Sequence, residues 1–360
     1  MFDIFTTKQW DHIQTLYENW WRGNDERPIF HLCFSEENPS MPKPHDLITE
    51  MLFLYGPDTP AEKVVEIIEY IWRSRRYEFG GFPHTYLNLG PVHCVEYIGC
   101  EATISPSTVW FKARREVPAD QRVIARDAES VFLPWENRLR SAMEARFGGG
   151  YVLSTPTAGG MALDIIAEFY GHEALSYLLY DDPESVLRLM REATDVLREI
   201  GKEQLKLTPN ARAYTSWGGL YSPIPWITMQ CDYCAMIGPE HFDRFVLPDI
   251  RENAALSPLY NYYHLDGEGE VIHLDKLLAI PELRCVQYMP SPGSTVDLEL
   301  SVYERIQRSG KNVWIAGPIE RVREVAERTG TARGLYWFGG FGMDSYDKVM
   351  RYADDLTNGH

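Results

Sequence analysis

The sequence predicts a parallel α/β fold, and specifically a single (β/α)8 barrel. Four strand–helix units of similar length follow one another between residues 259 and 356, and this order favours one barrel over separate domains. The chain has 360 residues, enough for such a barrel, which commonly runs past about 250 residues. Because no repeat or low-complexity segment divides the chain, we predict one domain over residues 1–360, with an N-terminal helix in 1–25 and the barrel in 26–360.

The N-terminal extension is predicted as an aromatic-rich amphipathic helix from Thr7 to Arg22, followed by a first strand from Ile29 to Phe34. A helix is expected over residues 61–77. The Gly- and Pro-punctuated segment after it, about residues 81–111, predicts short strands and loops that form a rim near the cleft. The remaining helices are predicted at 130–147, 161–170, 182–207, 239–256, 271–279, 297–309, 318–329 and 343–356, and the strands at 151–155, 213–217, 225–229, 259–265, 284–289, 312–316 and 333–338.

Composition excludes some functions. A net charge of −17 argues against binding to nucleic acids or to an anionic membrane surface. No apolar run approaches the roughly 20 residues of a membrane span, and MFDIFTTKQWDH does not have the pattern of a signal peptide. Six irregularly spaced cysteines do not indicate a disulfide framework, so we expect a cytoplasmic protein with reduced thiols.

The most informative stretch is the predicted strand at 259–265 with the residues after it. Alternation places His264 and Asp266 on the same side at the carboxyl end of the strand, where parallel α/β proteins bind ligands. Such a pair can ligate a metal, act in acid–base chemistry or anchor a polar substrate. The alternative is structural, with a buried histidine satisfied by a neighbour and an aspartate that caps the next helix.

The segment Gln230-Cys231-Asp232-Tyr233-Cys234 comes after the preceding predicted strand. Cys231 could join His264 and Asp266 as the third ligand of a catalytic zinc with one open position. Without metal, Asp232 would be a base or an anchor, and Cys231 a small apolar residue. Aromatic residues in the same loops could stack on a substrate: Trp217, Tyr221, Trp226, Tyr233 and Tyr288. Gln230 and Gln287, at neighbouring strand ends, are candidates for hydrogen bonds to a substrate.

Two sequence segments, MQCDYCAMIGPEHFDRFVLP and YHLDGEGEVIHLDKLLAIPEL…VQYMPSPG, together with FP…LNLGP upstream and GLYWF downstream, resemble the uroporphyrinogen decarboxylase superfamily. The resemblance covers most of the chain from about residue 80 and implies a (β/α)8 barrel with a deep cleft at the strands' carboxyl ends. The superfamily also contains corrinoid-linked methyltransferases. The decarboxylases carry an arginine-rich loop near the N-terminus, where this chain has PIFHLCFSEENPS, so the methyltransferase branch is the closer match.

The resemblance implies a methyltransferase that moves a methyl group between a small methylated substrate, such as a methoxyaryl compound or a methylamine, and a corrinoid on a partner protein. Zinc could assist through His264, Asp266 and Cys231, although the zinc enzymes have His-x-Cys-Gly where this chain has His264-Leu265-Asp266-Gly267. Two alternatives are a metal-independent decarboxylase of a carboxylated substrate and a barrel that only binds a ligand. On class grounds we expect a monomer or a homodimer.

Overall fold

The fold is built on parallel β-strands alternating with helices. The structure, a computed structural model, describes residues 4–36, 41–46, 48–156, 161–225 and 228–358. The strands of the described residues are β1 (Ile29–Ser35), β2 (Arg75–Phe79), β3 (His84–Thr85), β4 (Cys100–Ile104), β5 (Val109–Ala113), β6 (Val152–Ser154), β7 (Ala213–Thr215), β8 (Thr228–Gln230), β9 (Tyr262–Asp266), β10 (Cys285–Met289), β11 (Asn312–Ile315) and β12 (Leu335–Gly342).

Helices follow most of these strands, as the hydrophobic periodicity predicts. They are α1 (Thr7–Arg22), α2 (Ala61–Arg73), α3 (Phe132–Phe147), α4 (Ala162–Tyr170), α5 (His172–Asp181), α6 (Pro183–Leu205), α7 (Pro239–His241), α8 (Leu247–Leu256), α9 (Leu274–Leu278), α10 (Val296–Arg308), α11 (Arg321–Thr329) and α12 (Tyr346–Thr357). A π-helical turn, Phe242–Val246, joins α7 to α8, and 3-10 turns at Asp232–Met236 and Glu268–His273 follow β8 and β9.

Two parallel sheets carry the helices. In the larger sheet the strand order is β2-β1-β12-β11-β10-β9-β8, with only β2 antiparallel to its neighbour, and β3-β6-β7 form a smaller parallel sheet. The hairpin β4-β5 stands apart as part of the expected rim. Among the described residues these sheets are separate, so a parallel α/β fold is confirmed, and the closed (β/α)8 barrel stays a prediction.

Helix α1 covers the amino-terminal ends of the strands. Its aromatic face is buried, with the side chain of Trp20 only 1% exposed. The Trp20 indole donates to the carbonyl of Leu335 at the start of β12 (3.1 Å), and the Asn312 amide at the start of β11 donates to the Trp20 carbonyl (3.0 Å). Gly23 ends the helix with φ of 66°, a left-handed conformation that glycine adopts without strain. With this end closed, the opposite, carboxyl ends of the strands are left for a ligand site.

Local differences from the sequence prediction concern short elements. The helix predicted over 61–77 ends at Arg73, because the next residues pair as β2 with the edge of β1. The helix predicted over 271–279 is split into a 3-10 turn and the short α9, and α5 was not predicted. In the described part of the chain no helix is long and apolar enough to cross a membrane.

Replacing Trp20 by alanine tests the role of α1. The loss of a buried indole and its hydrogen bond should lower the apparent free energy of unfolding by about 3–5 kcal/mol. Trp110, whose side chain is 67% exposed on the hairpin, is the matched control, and Trp110→Ala should change stability by less than about 0.5 kcal/mol. Urea denaturation followed by circular dichroism measures both, and equal effects of the two substitutions would contradict the proposed packing.

Candidate active site

Three neighbouring parallel strands bring the central polar residues of the site together. In the register of β8, β9 and β10, Gln230 lies beside His264, and His264 lies beside Gln287. Side chains at matched positions of neighbouring strands point to the same face of the sheet. The two glutamines predicted to bind substrate therefore flank the predicted histidine.

A cluster of three potential metal ligands lies at the ends of β8 and β9. One ligand atom each from Asp232, His264 and Asp266 lies within 4.8 Å of the other two. His264 is half-buried, and both aspartates are exposed. Asp232 is the second residue after β8, while Asp266 is the last residue of β9. We call this cluster the triad.

Gln287 fixes the protonation pattern of the His264 ring. The Gln287 side chain is buried, and its Oε1 lies 2.6 Å from His264 Nδ1 and 3.4 Å from the indole nitrogen of Trp217. An indole N–H can only donate, so the glutamine atom that it meets must be the oxygen. His264 Nδ1 must then carry a proton to make its short contact with the same oxygen. In the neutral ring this leaves the lone pair on Nε2, free for a metal ion or a substrate.

The surroundings of the triad shift the pKa of Asp232. Although the Asp232 side chain reaches solvent, the cleft walls around it reduce its hydration, and this raises the pKa of its carboxyl; His264 opposes the shift, and the charge of Asp266 adds to it. Asp232 therefore holds a proton at higher pH than an ordinary aspartate. Two carboxylates beside one imidazole give the site a negative charge once both are ionised, which favours a cation.

Two further carboxyl groups are buried next to the triad and face its main chain. Burial and the charge of Asp232 raise the pKa of Asp164, on α4, to about 7. Burial and the neighbouring Cys234 raise the pKa of Glu270, in the turn after β9, to about 11. Both groups therefore keep a proton at higher pH than ordinary carboxyl groups do.

Beside the triad lies a cavity of about 440 Å³, a size that suits a small organic molecule. His264, Asp232, Gln230 and Trp217 line one side of it. The remaining wall is built largely from strand ends and the rim, and it mixes aromatic, apolar and hydroxyl-bearing residues. Its members include Phe53, Tyr86, Asn88, His93, Ser107, Thr108, Ser154, Thr155, Met161, Thr215, Ser216 and Thr228. Of the described residues that line the cavity, none is a lysine or an arginine.

Cys231 does not join the triad. Its side chain is buried and hydrogen-bonds Cys234 and Asp164, and burial raises the pKa of its thiol well above the ordinary value. Asp232, one residue later, contributes its carboxylate instead. The backbone turns directly after β8, so that Cys231 points into the protein and Asp232 into the cleft.

The predicted aromatic residues separate into two groups. The Trp217 ring lies 5.3 Å from the His264 ring, nearly perpendicular to it, and lines the cavity. Tyr233 is buried instead and hydrogen-bonds Ser176 on α5 (2.7 Å), while Tyr288 packs against Tyr303 on α10. Tyr221 is buried in the core, where its ring lies 5.8 Å from the ring of Tyr17 on α1. Trp226 is outside the described residues.

Several residues that line the cavity were not predicted from the sequence. Ser154 and Thr155 stand at the carboxyl end of β6 and Thr215 ends β7, so the rule that ligands bind at strand ends could have identified them. Asn88 and Tyr86 lie in the loop after β3, and no local pattern marks them as lining residues.

The triad fits a divalent metal ion. One imidazole and two carboxylates are ligands used by Zn²⁺ and by the harder Mn²⁺ and Fe²⁺, and His264 has the ring–glutamine hydrogen bond that commonly orients a metal-bound histidine. The ligand atoms would need to close somewhat around an ion, because metal–ligand bonds are about 2.0–2.2 Å long.

Comparisons with known proteins support the fold. No family model matches the chain, and no curated protein matches it. Among solved structures, a methyltransferase from Methanosarcina mazei is similar, with a TM-score of 0.54 and 10% sequence identity over 91% of this chain and 93% of that chain. At this identity the likeness extends to the fold over nearly the whole length of both proteins.

The Nδ1–H form of His264 can be observed directly. In the protein labelled with ¹⁵N-histidine, we expect neutral His264 to be protonated at Nδ1, and Gln287→Leu to remove this preference because the acceptor is lost. His12, exposed on α1, should give the same signals in both proteins. A wild-type His264 protonated at Nε2 would contradict the proposed hydrogen-bond arrangement.

Metal binding should depend on pH. An ion requires the Asp232 carboxylate without its proton, and the pKa of Asp232 is raised by burial and by Asp266, so protons compete with the ion as the pH falls through that raised value. Affinity for Mn²⁺ measured by calorimetry should be lower at about pH 5 than at about pH 7.5. Asp232→Asn should bind more weakly and with a smaller pH dependence. Equal wild-type affinity at the two pH values would exclude this coupling.

Proposed function

We propose that this protein is a methyltransferase that moves a methyl group between a small methylated compound and a corrinoid carried by a partner protein, assisted by a divalent metal ion. The observation that carries the proposal is the triad of Asp232, His264 and Asp266, two of whose residues, Asp232 and His264, line a small-molecule cavity. The similarity in fold to a methyltransferase supports the reaction class.

In this proposal His264 Nε2, Asp266 and Asp232 would hold the ion. A bound ion would act as a Lewis acid on the heteroatom that loses the methyl group, which makes the demethylated product a better leaving group. Gln287 keeps the His264 ring in the orientation that the site requires. Zinc, the metal expected from the sequence resemblance, fits this set, as do Mn²⁺ and Fe²⁺.

The cavity has room for a small methylated substrate but not for the corrinoid. Trp217, Tyr86 and Phe53 provide aromatic surface, and Asp232 provides negative charge. Neutral methoxy compounds and unprotonated methylamines are compatible with such a lining, because their heteroatom keeps a lone pair for the ion. A corrin macrocycle is far larger than the cavity, so the partner protein would present it at the cavity mouth.

The lining weighs against the alternative, a decarboxylase. The carboxylate of a substrate is commonly bound by a cationic side chain, most often arginine. The described lining residues offer no lysine or arginine, and Asp232 would repel an anion.

Methyl transfer can be tested with free reduced cobalamin as the acceptor. The protein loaded with Zn²⁺ or Mn²⁺ should form methylcobalamin from at least one compound in a panel of methoxyaryl compounds, methylamines and methanol. His264→Ala and Asp266→Ala should reduce the rate at least about 100-fold, because each removes a ligand that the leaving group depends on.

His12→Ala, which changes an exposed histidine on α1, is the matched control and should keep the wild-type rate. A wild-type rate in His264→Ala would contradict the assignment. Release of carbon dioxide from a carboxylated compound, without any need for corrinoid, would favour the decarboxylase instead.

A further inference from the structure

Each exposed carboxylate of the triad has a buried carboxyl group behind its own main chain. Asp164 and Glu270 are almost completely excluded from solvent, with exposures of 6% and 0%. Neither belongs to the triad and neither lines the cavity. Their hydrogen bonds nevertheless end at the backbone of Asp232 and of Asp266.

Asp164 binds the first two backbone N–H groups of the turn that carries Asp232. Its Oδ2 accepts from the backbone N–H of Asp232 (3.1 Å), and its Oδ1 accepts from that of Tyr233 (2.9 Å). The first N–H groups of a helical turn have no partner within the turn, and Cys231, at the capping position, makes no side-chain cap. Asp164 thus acts as a capping residue supplied by a different helix, α4, and ties the position of Asp232 to that helix.

Glu270 holds the end of β9 in a similar way. Its Oε1 accepts from the backbone N–H of Asp266 (3.2 Å), and its Oε2 accepts from the hydroxyl of Tyr263 (3.0 Å). The Tyr263 hydroxyl also contacts the Cys234 sulfur (3.7 Å), so that the support of Asp266 reaches the turn that contains Asp232.

We propose that Asp164 and Glu270 are positioning residues, which hold Asp232 and Asp266 at the separation that a metal ion requires. This inference rests on the metal site of the proposed function. The backbone N–H of Asp232 donates to Asp164, and the backbone N–H of Asp266 donates to Glu270. A shift of about 1 Å in either segment would be enough to loosen the site.

The two positions respond differently to amide substitution. Each oxygen of Asp164 accepts from a backbone N–H, so Asp164→Asn sets its NH₂ group against one of these donors and loses that bond. Glu270 has one N–H partner and one hydroxyl, and a hydroxyl can donate or accept. In Glu270→Gln the oxygen still accepts from Asp266, while the NH₂ group donates to Tyr263. Glu270→Leu loses both bonds.

A matched control lies elsewhere in the chain. Glu96 is fully buried and accepts from two consecutive backbone N–H groups, those of Val131 (2.9 Å) and Phe132 (3.1 Å), at the start of α3. Glu96 also pairs with Arg114 (2.7 Å), so Glu96→Gln sets an NH₂ group against an N–H donor, as Asp164→Asn does, and in addition loses an ion pair, away from the triad. It separates a general loss of stability from an effect on the site.

The test is Mn²⁺ affinity, measured by calorimetry on the full chain. Asp164→Asn and Glu270→Leu should bind at least about tenfold more weakly than the wild type, whereas Glu270→Gln and Glu96→Gln should stay within about twofold. The proposal is overturned if Asp164→Asn binds as the wild type does, or if Glu96→Gln weakens binding as much.

Crystal structures of the ion-free wild type, Asp164→Asn and Glu96→Gln keep the inference testable apart from the proposed function. If the wild type takes up no Mn²⁺, the metal site of the proposed function fails. Displacement of the Asp232 carboxylate by about 1 Å or more in Asp164→Asn, but not in Glu96→Gln, would then still support the positioning role. An unmoved Asp232 would overturn it.

Discussion

The parallel register of β8, β9 and β10 is the constraint on which the site depends. It places Gln230, His264 and Gln287 side by side on one face at the carboxyl ends of the strands. A shift of one residue in β9 would move His264 to the opposite face and remove the triad. The backbone hydrogen bonds between the strands therefore place the site residues together, and the partly buried hydrogen bond from His264 to Gln287 orients the His264 ring.

Structural support and chemical function are divided between the two ends of the strands. Helix α1 closes the amino-terminal ends with its tryptophans, so these ends are sealed by apolar packing and hydrogen bonds to main-chain carbonyls. His31, on β1, is a polar residue that takes part in this packing. It is fully buried, and its Nδ1 lies 3.0 Å from the Gly219 carbonyl oxygen. Burial lowers the pKa of its ring well below the ordinary value. The half-buried imidazole of His264, at the opposite end, is the one placed for chemistry.

The elements with strong periodicity could be predicted from sequence, and so could the site's central histidine. α1 has the predicted bounds, and β9 ends with His264 and Asp266 on the cleft side, as alternation requires. The choice between Cys231 and Asp232 could not be made, because the chain leaves β8 in an irregular turn where alternation no longer indicates direction. Asp164 was not predicted because the backbone N–H groups that it binds are 68 and 69 residues away in the sequence. Glu270 was not predicted because it lies in an irregular turn, where no periodic pattern shows which way a side chain points.

The central claim is that Asp232, His264 and Asp266 bind one divalent ion together. The most direct measurement is an anomalous difference map from crystals of the protein soaked in Mn²⁺. We expect one strong peak within about 2.0–2.3 Å of His264 Nε2 and of a carboxylate oxygen of each aspartate. A fully soaked crystal with no peak between these three side chains, or with the ion bound to the Cys231 sulfur, would contradict it.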